Sequence, residues 1–285
     1  MKKIIKKTFK KIIITTIAVV TPLAPFTVIA ADMNDTEKEH DLLGGDFTGW
    51  VEFANERMFR GNSETQNSEV PSIQGMVTWT HADTGWYAGY WMATVKFDAV
   101  PGLNGESAPY IGKFGTIGDT GINYNVSLWH YIYHKGSNVG DTLYAYQPNY
   151  TELWITANKN VTENLNIYAE FVPTLDAWFG TKKGDGGGPP AYDNGSDVRG
   201  YEFAITPTYQ LGDGWSVNAT IGRQMFTDPQ FVGVGNWTYG NIGVAKVLRD
   251  NWKLALSYHT TNVDDDKDTF DIYKDHVVAS VSKSF

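Results

Sequence analysis

From Asp46 onward the chain alternates between two kinds of connection, and this restricts the fold more than any motif does. The short connections are residues 81–85, 117–121, 158–164, 211–214 and 248–251, each followed by an aromatic or aliphatic residue such as Trp86, Ile122, Leu165, Trp215 or Trp252. They are rich in Asp, Asn and Gly, the residues that tolerate tight hairpin turns. The longer, polar connections are approximately 61–69, 98–107, 135–149, 176–197, 228–235 and 263–269. Five short and six long connections in strict alternation leave twelve strands, with both chain ends on the short-turn side. A soluble sandwich has no reason to sort its loops by length. A barrel in an outer membrane does, because it carries short turns on the periplasmic rim and longer loops outside.

The strand faces agree with that reading. Ile122, Tyr124, Val126 and Leu128 oppose Asn123, Asn125 and Ser127. Leu165, Ile167, Ala169 and Phe171 oppose Asn166, Tyr168 and Glu170, and Tyr201, Phe203, Ile205, Tyr209 and Leu211 oppose Glu202, Thr206, Thr208 and Gln210. Trp252, Leu254, Leu256 and Tyr258 oppose Lys253, Ser257 and His259. Segments of about 9–11 residues cross a membrane as tilted strands, with one face toward lipid and the other toward a wet lumen. In the third strand the same logic sets Tyr87, Gly89, Trp91, Ala93, Val95 and Phe97 toward lipid. Residues 236–248 fit less well, since neither face is clearly apolar. Arg223 falls on a lipid face, where a mid-membrane charge costs about 2–4 kcal/mol, so it belongs near the rim or on a bulge.

The final stretch, 270–285, reads as a strand with Val277, Ala279 and Val281 on one face and Ser280, Ser282 and Ser284 on the other, ending on Phe285. This is how a strand that closes a membrane barrel is built, and the expected partners are outer-membrane lipid and, through this strand, the barrel-assembly machinery. Lys283 interrupts its apolar face, where a long side chain can snorkel to the interface.

Six lysines head the chain, residues 12–30 carry no charge, and a small-residue site follows at 28–31. That layout is a cleaved secretory signal peptide, residues 1–31. Residues 32–45 read as a polar leader and 46–285 as a single barrel. Without the signal peptide there are 17 basic and 32 acidic side chains, a net charge of −15, which argues against nucleic acid as a partner. There is no cysteine, hence no disulfide, thiol nucleophile or thiolate metal site. The expected location is the outer membrane of a Gram-negative-type bacterium.

Residues 56–63 (Glu-Arg-Met-Phe-Arg-Gly-Asn-Ser), then 73–75 (Ile-Gln-Gly), then 81–91 (His-Ala-Asp-Thr-Gly-Trp-Tyr-Ala-Gly-Tyr-Trp) resemble the opening of the TorF-like porins. The likeness is tightest over 46–130, and departures are the long loop at 182–197 and Lys283. The resemblance implies an outer-membrane barrel and a pore. It supplies no catalytic residue and no substrate.

Strand parity sends Glu52, Glu56, Glu152, Glu170, Glu202, Lys96, Lys253 and Arg60 into the lumen, with Gln74, Gln210, Gln224, Asn125 and Tyr168 as polar lining. These charges either pair across the barrel and fill it, or line a narrow path with a modest cation preference, because carboxylate rings favour cations. The glycine-rich loop 182–190 is a candidate for folding inward. Asp264, Asp265 and Asp266 lack the spacing of a calcium loop. No cofactor motif is present, nor any G-x-S-x-G, H-E-x-x-H or P-loop pattern. The expectation is a porin-like channel for small polar solutes or ions, without a chemical step. Open alternatives are a filled barrel with a structural role, a membrane hydrolase using His130 or His259 with a nearby serine, and a soluble carbohydrate-binding β protein.

Overall fold

The computed structural model describes residues 44–98, 100, 102–135, 148–181 and 196–285. The expected signal peptide (1–31), most of the expected leader and the loop 182–190 lie outside the described residues. Twelve strands form one closed antiparallel barrel: β1 (Gly45–Ala54), β4 (Ser72–His81), β5 (Trp86–Thr94), β6 (Leu103–Thr116), β7 (Asn123–Lys135), β8 (Tyr150–Asn160), β9 (Leu165–Pro173), β10 (Gly200–Gly212), β11 (Trp215–Phe226), β12 (Trp237–Val247), β13 (Trp252–Thr261) and β14 (His276–Ser284). Two further short strands, β2 (Met58–Phe59) and β3 (Asn62–Ser63), pair only with each other.

Each strand pairs with its sequence neighbour, and β1 closes on β14 in the register Trp50↔Ser284 to Ala54↔Ser280. The seam ends in two reciprocal backbone bonds, Phe285 N to Gly49 O at 2.9 Å and Gly49 N to Phe285 O at 3.0 Å. Closure leaves no unpaired sheet edge, which a lipid environment would not tolerate. The tightest turn, between β10 and β11, holds Asp213 and Gly214 at φ 50° and 78°. That is the doubly positive φ of a two-residue hairpin turn, which Asp-Gly favours.

The exterior is apolar. Phe53, Val77, Leu128, Phe203, Ile221, Leu256 and Val277 all point outward and are exposed. A continuous apolar wall around a closed barrel spans a membrane. On the short-turn rim, lysines stand directly across from the tryptophans that open strands. Lys113 pairs with Trp86, Lys246 with Trp215 and Lys283 with Trp252, with each ammonium 5.1–5.7 Å from the indole centroid. The Lys246 and Lys283 ammonium groups donate to the turn carbonyls of Asp213 and Asp250. These lysines snorkel past the apolar band to the interface. Arg223 does face outward, three residues from the loop-side end of β11, where its Nη1 donates to Thr238 Oγ1 at 3.0 Å.

One strand runs opposite to its expected parity. In β5 it is Trp86, Tyr90 and Met92 that are exposed to lipid, while Tyr87, Trp91 and Ala93 are buried inside. The inner wall from β5 to β8 is a packed aromatic core. Tyr110 stacks on Trp129 at 4.2 Å and Tyr131 on Tyr150 at 4.9 Å between centroids. Both faces of β5 are aromatic, so alternation alone could not orient it. Gly89 and Gly112 make room for this core. They face Tyr110 and Tyr87 across the β5–β6 ladder, and a Cβ at either would overlap the opposing phenol. In β12 the inward residues are Trp237, Tyr239 and Asn241, and the outward face is carried by Ile242 and Val244.

Candidate functional site

The connection between β1 and β4 does not extend into solvent. Residues 55–71 turn into the barrel, and β2–β3 form a hairpin inside the lumen. Met58, Ser63, Glu64 and Thr65 are buried, as are its arginines, Arg57 and Arg60. Three hydrogen bonds tie the hairpin segment to other loops. Ser63 N donates to Ile272 O at 2.7 Å, Gln66 Nε2 to Phe270 O at 2.8 Å, and Lys96 N to Glu64 O at 2.8 Å.

Two arginine clasps fix it to the wall. Arg57 Nη1 donates to Glu106 Oε2 at 2.7 Å and also meets Glu64 of the hairpin. Arg60 makes a planar fork on Glu152, with Nη1 to Oε1 at 2.7 Å and Nη2 to Oε2 at 3.0 Å, while its Nε lies 3.0 Å from Glu202 Oε2. Bidentate charge-assisted pairs of this kind are strong and directional. Glu106, Glu152 and Glu202 are the fourth, third and third residues of their strands on the long-loop side. The clasps therefore lie at one depth, in the outer third of the barrel. Arg60 has φ 51° and Gly61 φ 84°. This left-handed pair reverses the chain so that the Arg60 side chain reaches the wall, and Trp237 Nε1 caps the Arg60 carbonyl at 2.7 Å.

Glu56 anchors the hairpin base. Its carboxylate accepts Ser63 Oγ and Thr65 Oγ1 at 2.5 Å and Ser68 Oγ at 2.7 Å, and His276 Nδ1 stands 3.7 Å away. Below the hairpin two small cavities, of about 30 and 40 Å³, flank Met58 and share His259. Each has room for a few waters only.

The structure sorts the sequence-derived lumen residues into three places. Glu152, Glu170, Glu202, Gln74, Gln210 and Lys253 stand on inward wall positions. Glu52 does too, and accepts Gln74 Nε2 at 2.8 Å and Ser280 Oγ at 3.2 Å. Glu56 and Arg60 reach the lumen on the hairpin, which corrects their placement on a strand wall and the outward course expected for 61–69. Lys96 is not in the lumen. It lies beyond the end of β5, where it pairs with Glu69 and sits 3.8 Å from Asp98 at the rim. Sequence reasoning missed Arg57, Glu64 and Glu106. Glu106 was hidden because 98–107 read as a loop, whereas β6 begins at Leu103.

The histidines fall on different faces. His130 Nδ1 is 3.0 Å from Thr151 Oγ1 on the outward side, and His259 Nε2 is 2.8 Å from Ser257 Oγ inside the lumen. A further contact, His134 Nε2 to Ser107 Oγ at 2.8 Å, is outward, and Tyr90 donates to the same hydroxyl at 2.7 Å. Among the described residues no cluster of three acidic or imidazole groups is arranged to hold a metal ion.

Residues 43–285 match the family described as "Bacterial protein of unknown function (Gcw_chp)". The chain belongs to this family. No curated protein matches its sequence. Among solved structures it is similar to the KdgM porin, at 8% identity over 84% of this chain and 98% of that one, with a TM-score of 0.48. It is also similar to an outer-membrane channel from Pseudomonas putida F1, at 10% identity over 88% and 100% of the two chains, TM-score 0.47. A third is the Pseudomonas putida toluene transporter TodX, at 10% identity over 85% and 87%, TM-score 0.45.

Proposed function

We propose that the chain is an outer-membrane channel for small polar solutes or ions, held closed by its own first loop. The observation that carries this reading is the lumenal hairpin, whose two arginines clasp wall carboxylates at a single depth. A barrel built only as a scaffold has its inner wall pack against itself, as the β5–β8 aromatic core does. Here the other half of the lumen, from β9 round to β4, is lined by hydroxyls, amides and carboxylates such as Thr208, Asn218, Gln224, Glu52 and Gln74. A polar wall beside a separable plug is what a gated aqueous path requires. Glu56, Glu64, Glu106, Glu152, Glu170 and Glu202 outnumber Arg57 and Arg60 around the hairpin, and this excess favours cations. The resemblance to TorF-like porins agrees with the reading, which includes no chemical step.

The two small cavities favour a second reading, a filled barrel that serves through its exposed loops. Reversal potentials of the refolded barrel in a salt gradient separate the two. Discrete current steps with a cation-biased reversal potential support the channel. Steps biased toward anions contradict the carboxylate path, and a correctly folded barrel that carries no current even when Arg57→Ala/Arg60→Ala releases the hairpin contradicts the channel itself.

A further inference from the structure

The wall around Arg60 is a guanidinium cradle whose occupant happens to be tethered. Glu152 offers both oxygens to the guanidinium fork at 2.7 and 3.0 Å, and Glu202 Oε2 stands 3.0 Å from Nε. The indole of Trp154 lies 5.7 Å from the guanidinium carbon. Tyr239 donates to Glu202, and Tyr168 donates to Glu170 Oε2 at 2.8 Å, so these two carboxylates are held in place by wall residues as well, while both hydrogen bonds to Glu152 come from Arg60. Glu170 and Glu202 line the same small cavity as Arg60, with Trp154, Asn241 and His259. Arg60 is the one cation in that lining, against two carboxylates, and Glu152 adds a third beside it.

The geometry selects among cations. A planar fork matched to a carboxylate, a second carboxylate at the edge and an aromatic face fit a guanidinium better than a compact ammonium. If the hairpin withdraws, three buried carboxylates lose their cation, a state that a low-dielectric lumen strongly disfavours. A soluble cation of the same shape would restore it. We propose that this wall site binds guanidinium-bearing solutes, and that Arg60 occupies it as an intramolecular stand-in which such a solute displaces on entry. The inference rests on the channel reading above and names the solute class that the path would take.

The probe is methylguanidinium, with tetramethylammonium at equal ionic strength as the control for charge without a fork. In bi-ionic recordings of the wild-type barrel, methylguanidinium should be several-fold more permeant than tetramethylammonium, and Glu202→Gln should cut that preference. Equal permeability in the wild type overturns the proposal while leaving the channel in place. A second readout needs no current. Arg60→Ala empties the cradle, and the unfolding temperature of that variant should rise saturably with methylguanidinium and not with tetramethylammonium. Adding Glu152→Gln should weaken this rescue roughly tenfold or more, the loss carried by one charge-assisted hydrogen bond. Selective rescue without conductance would keep the cradle and remove the channel. No selective rescue of a folded Arg60→Ala barrel overturns the cradle. Should that variant not fold, the wild-type permeability ratio decides.

Discussion

Arg60 and Glu152 come from opposite kinds of structure, a loop tip and a barrel strand, and meet in a two-bond fork of 2.7 and 3.0 Å with both side chains out of solvent. That pairing draws a loop that the sequence marks as polar and external into the barrel lumen.

Breaking a buried pair by removing one partner leaves an uncompensated charge, at a cost of up to about 3–5 kcal/mol. Arg60→Ala should therefore lower the urea midpoint of the refolded barrel, and the double variant Arg60→Ala/Glu152→Gln should recover part of the loss. Band shifts of folded and unfolded barrel on gels read both. An Arg60→Ala barrel as stable as the wild type would mean that the clasp is hydrated.

The aromatic half of the lumen depends on glycine. Gly112 faces Tyr87 across the β5–β6 ladder with no space for a Cβ. Gly112→Val should cost about 1–3 kcal/mol by overpacking. Gly233→Ala, at a loop position with open space around it, should stay within about 0.5 kcal/mol. Equal costs for the two would place the Gly112 face outside the packed core.

Depth in the membrane should show along a single strand. Ile221 is 64% exposed on the outward face, near the middle of β11. Ile221→Lys should destabilise the barrel by about 2–4 kcal/mol, the midplane value for a lipid-facing lysine. Arg223, two residues nearer the loops, should be replaceable by Ala with a change within about 1 kcal/mol. Reversed magnitudes would move the apolar belt along the barrel.

The strand count, the sorting of loops by length and most strand faces were legible in the sequence, because turn chemistry and period-2 alternation act locally. β5 was not, since Trp86, Tyr90 and Met92 are as apolar as Tyr87, Trp91 and Ala93, and only the barrel's interior decides which set turns inward. The lumenal hairpin was invisible for a related reason. Its polarity matched that of any exposed loop, and what draws it inside is a set of carboxylates distant in sequence: Glu106, Glu152 and Glu202. Loop 182–190, marked by its glycines as a candidate for folding inward, lies outside the described residues. Paired arginines at 57 and 60 were the signal to weigh, because two cations three residues apart in a loop facing a carboxylate-lined barrel have somewhere to go.

The most direct test of the hairpin as a plug is single-channel conductance of the wild-type barrel beside an Arg57→Ala/Arg60→Ala variant, both refolded and recorded under the same salt. Release of both clasps should free the hairpin from the wall, so the variant should show steps severalfold larger, or open for a severalfold greater fraction of time, with cation bias retained. Folded variant and wild type with identical steps would contradict a plug held by these arginines, and silence from both would leave a barrel with no path through it.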